Sequence, residues 1–114
     1  MGINLIDAEL RRIDVRDRIE KNEVSFLSLC DNAISNWQEY NKISGVNIDM
    51  RLKRIQDTKD LFDRIKKKII EYSLDRSLED LLYLSIQECV KRIKCSLAES
   101  KHYLENVKKA RRKI

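Results

Sequence analysis

No proline interrupts this chain of 114 residues, and its glycines stand only at positions 2 and 45. Proline and glycine are the residues that most often stop helices and turn strands. A chain so poor in both folds into long helices with few connections, because a β-rich fold would need turn residues roughly every ten positions. The expected fold class is all-α: one domain over 1–114, an antiparallel three- or four-helix bundle with coiled-coil-like packing. Hydrophobic residues make up 42% of the sequence, enough to build a core despite 38% charged residues.

Two short connections are legible. In Ile43-Ser44-Gly45-Val46-Asn47, Gly45 can adopt the left-handed conformation that ends a helix, and Asn47 or Asp49 can cap the next one. In Ser73-Leu74-Asp75-Arg76-Ser77, Ser77 with Asp80 reads as a capping box. These connections predict helices near 5–20, 23–42, 48–72 and 77–110.

Projection at 3.6 residues per turn places Ile48, Leu52, Ile55, Phe62, Ile65, Ile69, Ile70 and Tyr72 on one face of the third segment. Leu78, Leu81, Leu82, Ile86, Cys89, Val90, Ile93, Leu97, Leu104 and Val107 share one side of the last. The region before Gly45 does not hold one phase. Phe26, Leu27, Cys30, Ala33, Ile34, Trp37 and Tyr40 define a face, whereas Ile6, Leu10 and Ile13 project from nearly the opposite side. Either the helix breaks near Glu20–Glu23, or it continues and its first third faces a different neighbour. Residues 1–21 are then a separately packing helix or a partner-binding one, since 4,3 spacing makes a seam that requires an opposing surface. Ile6, Leu10, Ile13 and the off-stripe Leu84 are accordingly the protein-interface candidates.

The net charge is +5, and it is unevenly spread. Residues 1–47 hold 6 basic and 8 acidic side chains, and residues 77–114 hold 9 and 5. Seven acid-before-base pairs at i,i+4, among them Asp7–Arg11, Asp14–Arg18, Asp63–Lys67 and Glu88–Arg92, read as a solvated helical surface. Clusters of basic residues stand out beyond this pairing at Lys66-Lys67-Lys68, at Lys91, Arg92 and Lys94, and in the tail Lys108, Lys109, Arg111, Arg112 and Lys113, and the last two supply nucleic-acid-binding candidates.

Site chemistry is sparse. Glu99-Ser100-Lys101-His102 has the Glu-x-x-His spacing of di-iron bundles, but His102 is the one histidine and lies off the apolar stripe. Cys30, Cys89 and Cys95 are an odd set without paired spacing, which fits reduced thiols, with Cys95 the accessible one. No glycine-rich phosphate loop or nucleophile–base motif is present. No catalytic residue, metal ligand, cofactor or small-molecule substrate is assigned. The start Met1–Asp7 lacks the basic region of a secretion signal and, with Ile at position 6, the myristoylation pattern. The expected location is cytoplasmic.

Trp37-Gln38-Glu39-Tyr40, then Gly45, then the amphipathic run Ile55 to Ile69, resembles the middle of the small coiled-coil stalk proteins of flagellar and type III export ATPases. The resemblance implies a helix–loop–helix stalk component and carries over no functional residue. The expected function is that of a non-enzymatic interaction protein, an adaptor, assembly or regulatory factor. It would act through helix–helix contacts with a protein partner or a second copy. The alternative is nucleic-acid binding through the basic C-terminal helix.

Overall fold

The structure, a computed structural model, describes residues 5–112, and these form three helices packed against one another. Helix α1 runs Leu5–Ser44, α2 Asp49–Glu71 and α3 Arg76–Arg112. The bundle is a rod with extents of 74 × 19 × 17 Å. Short connections make α2 antiparallel to its neighbours, so α1 and α3 run in the same direction.

The predicted helices near 5–20 and 23–42 are one uninterrupted helix, Leu5–Ser44. The physical reason lies in Val15 and Ile19, which carry the face of Phe26 and Trp37 back toward the N-terminus. Val15, Ile19, Phe26, Cys30, Ala33 and Trp37 are all buried, and Val15, Phe26 and Trp37 repeat every 11 residues. An 11-residue repeat is three turns of about 3.67 residues, so it holds one face of a nearly straight helix toward the core. The core face never changes phase. Ile6, Leu10 and Ile13 are a second face.

At the α1–α2 corner, Gly45 adopts φ +73° and its N–H donates to the Asn41 carbonyl at 2.8 Å. Asn47 Oδ1 accepts from the Asp49 N–H at 2.8 Å and sets the entry to α2. At the second corner Asp75, rather than Ser77, supplies the cap, its Oδ1 accepting from the Leu78 N–H at 3.1 Å.

The centre of the core stacks Phe26 on Phe62, with ring centroids 4.2 Å apart and planes 7° from parallel. Around this pair lie Cys30, Ala33, Ile55, Ile65, Ile69, Ile86, Cys89 and Ile93. Three expected core residues, Leu27, Tyr72 and Leu81, are exposed instead. Glu79 and Ser100 occupy buried positions on α3, each seven residues from the next core residue of the series that includes Ile86 and Ile93. Thr58, which interrupts the apolar face of α2 in projection, is buried, its hydroxyl donating to the Arg54 carbonyl at 2.8 Å.

Candidate interaction surfaces

The first turns of α1 are held to the bundle by charge. Arg11, on the core side, donates from its guanidinium to the Glu79 carboxylate and through Nε to the Ser73 carbonyl at 3.1 Å. Arg18 approaches the other Glu79 oxygen at 4.0 Å and lies over the Tyr83 ring at 4.4 Å from its centroid. Glu79 is buried, so both guanidinium groups answer a carboxylate withdrawn from water. The hydroxyls of Ser73 and Tyr83 are buried here without hydrogen-bond partners, and burial pushes the Tyr83 phenol above its usual range.

Because Arg11, Val15 and Ile19 make the inward contacts, the opposite face of the same turns is left to solvent. Leu10 is 59% exposed and Ile13 45%, and Ile6 and Leu5 are more exposed still. The 4,3 spacing that begins at Ile6 continues through Asp17, Glu20, Val24 and Leu27. Val24 is 71% exposed, and Leu27, Asp17 and Glu20 are also exposed. Seven positions, 6, 10, 13, 17, 20, 24 and 27, thus form an outward heptad row about 32 Å long at the α-helical rise. Apolar side chains occupy both ends, and two carboxylates occupy the middle. Neither Asp17 nor Glu20 has a cation within 4.0 Å among the described residues. Sequence reasoning missed Val24 and placed Leu27 in the core; counting heptads onward from Ile6 would have found both.

Leu84 is also exposed, at 57%. It points away from the core on α3, whereas the row points away from it on α1, so the two lie on different outer faces of the bundle.

The basic candidates separate in a similar way. Between 91 and 112, α3 carries eight basic residues and two acidic ones. Lys108 is drawn to Glu39 of α1 at 3.2 Å, and Glu99 to Arg51 of α2. Lys91, Arg92, Lys94, Lys109, Arg111 and Arg112 are exposed and form no ion pair among the described residues, and Lys101 behaves in the same way. Lys113 lies outside the described residues. Of the seven i,i+4 pairs expected, only Asp63–Lys67 closes, at 2.9 Å. The arginines at 11 and 18 reach across to another helix instead.

A groove of about 500 Å³ between α2 and α3 brings Arg54, Lys91 and Arg92 alongside Asp57 and Glu88, and its charge is mixed. Cys95 lines this groove and is exposed, whereas burial pushes the thiol of Cys30 up to about 11 and raises that of Cys89. Near the far end, Trp37 donates through Nε1 to Ser96 Oγ at 3.0 Å, and Arg51 covers its ring at 4.7 Å from the centroid. His102 is exposed and contacts Asn106 and Tyr103. Among the described residues, no cluster of three or more His, Cys, Asp or Glu side chains could hold a metal ion.

No described helix is long and apolar enough to cross a membrane. No known family, curated protein or solved structure matches the chain. The likeness of residues 37–69 to export-ATPase stalk proteins therefore gains no support from them.

Proposed function

We propose that the protein is a non-enzymatic interaction module that docks an amphipathic helix of another protein along the outer face of α1. The observation that carries this reading is the exposed heptad row, apolar at Leu10, Ile13, Val24 and Leu27 and acidic at Asp17 and Glu20.

The two carboxylates choose between a second copy and a different partner. A parallel in-register pair of α1 helices would set Asp17 against Asp17 and Glu20 against Glu20. An antiparallel pair centred on the row would again oppose Asp17 to itself and set Glu20 against Ile13. Juxtaposed like charges cost several kcal/mol at an interface, so the row favours a partner that brings cations to its middle. Those cations matter to the balance. Burying each apolar side chain yields roughly 1.5–3 kcal/mol at most, and association costs about 4–15 kcal/mol. The apolar positions alone come close to breaking even, and the charge match decides both affinity and choice of partner.

The test uses a three-heptad peptide with leucine at the core positions and lysine at the two central ones, beside a twin with glutamate there. The lysine peptide should bind about tenfold or more tightly than its twin, and Leu10→Gln with Ile13→Gln should abolish binding. Equal binding of the two peptides, or binding that survives the double substitution, would show that the row is not the docking surface. Sedimentation of the protein alone should give a monomer.

A further inference from the structure

We propose that a second surface, on α3 from Lys91 to Arg112, binds the phosphodiester backbone of duplex nucleic acid without reading its bases. Lys91, Lys94, Lys101, Lys109 and Arg112 fall within a sector roughly 80° wide on the solvent side of α3. From first to last they span about 32 Å at the helical rise, close to one turn of a duplex. Ala98 lies between them, and Glu105 is the one carboxylate in the sector.

Folding accounts for the charge of only part of this row. Cations in the last turn steady the helix dipole, which covers Lys109 and Arg112. Lys91, Lys94 and Lys101 sit in the middle of the helix, exposed and without an ion-pair partner among the described residues. Of the nearby carboxylates, Glu99 is taken by Arg51 and Glu39 by Lys108, while Asp57, Glu88 and Glu105 lie close without an ion pair to the row among the described residues, so the row keeps a net positive charge.

The occupant follows from what accompanies the cations. A helix that lies in a lipid surface sinks large apolar side chains beside its basic ones, and this sector offers only Ala98. A duplex presents anions continuously along its axis, so an unevenly spaced row finds phosphates without a fixed register. The sector also lacks asparagine, glutamine and arginine side chains along its middle, the groups that most often read base edges.

Fluorescence anisotropy of the full chain with a mixed-sequence duplex across a salt series tests this directly. Five phosphate contacts give a log–log slope of about −4.5, or roughly 500-fold weaker binding at 200 than at 50 mM salt. Lys91→Gln, Lys94→Gln and Lys101→Gln together should flatten the slope by about three, while the same three changed to Arg should preserve it. Lys53→Gln, Arg64→Gln and Lys68→Gln on α2, also exposed, should leave binding nearly unchanged. A slope shallower than about −2 would overturn the proposal. So would equal losses in the two glutamine variants, or binding of phosphatidylserine vesicles or polyglutamate as tight as that of the duplex.

Discussion

The outer faces of α1 and α3 occupy successive stretches of one long rod and differ in kind. Polar contacts between the two helices join residues 59 to 69 apart in sequence, as in Arg11–Glu79, Asn36–Ser100, Trp37–Ser96 and Glu39–Lys108. With that offset, the apolar and acidic row of α1 ends near Leu27, about where the basic row of α3 begins at Lys91. One face is apolar with two carboxylates at its middle, and the other is basic. What makes both available is the same: each helix folds through its inner face alone. The comparison also separates two ways of holding an inner face. Near the middle and far end α1 is held by Phe26 and Trp37, and over its first turns by Arg11, Arg18 and Glu79.

The sharpest break in that comparison is at the apolar inner face. Trp37→Ala removes a buried ring that packs near Tyr40 and Tyr103 and donates to Ser96. Urea unfolding should show a loss of about 3–5 kcal/mol, a large part of the roughly 5–15 kcal/mol that a domain possesses.

The charged inner contact should respond next. Arg11→Met leaves the Glu79 carboxylate buried with only Arg18 at 4.0 Å, and should cost about 3 kcal/mol. Adding Glu79→Leu should restore most of it, because position 79 lies in the core series that holds Ile86 and Ile93. If the double variant stays as unstable as the single one, the corner is held by something other than this charge pairing.

Thiol chemistry distinguishes inner from outer face without any substitution. At pH 8 an alkylating reagent should modify Cys95 alone, since Cys30 and Cys89 are buried and their thiols are held neutral by that burial. Modification of all three in the folded protein would mean that the inner face opens readily.

Most of the fold was legible because hydrophobic period and punctuation are local properties of a sequence. Gly45 marks the first corner and the apolar faces of α2 and α3 are mostly as projected. The apparent break in α1 was not real, and its cause is instructive. The row Ile6, Leu10, Ile13 is more conspicuous than Val15 and Ile19, so a face meant for solvent was weighed against the core as though the two were one. Glu79 was illegible for a different reason. A carboxylate is read as surface unless its partners are known, and Arg11 and Arg18 become partners only when α1 and α3 lie side by side. The same blindness paired Arg11 with Asp7 and Arg18 with Asp14. Of the two surfaces, sequence named both ends of the α3 row but only the first end of the α1 row, Ile6, Leu10 and Ile13, and not Val24, Leu27 or the two carboxylates between.

The smallest expected effect is the most telling. The central claim is that Leu10 and Ile13, on the outer face of α1, contribute nothing to the fold, which leaves them open to the docking proposed. Leu10→Gln with Ile13→Gln, measured by urea unfolding at a concentration where the protein is monomeric, should change stability by no more than about 0.5 kcal/mol. A loss of about 2 kcal/mol or more, the range that follows from removing buried side chains, would mean that the row belongs to the chain's own core and would contradict the account.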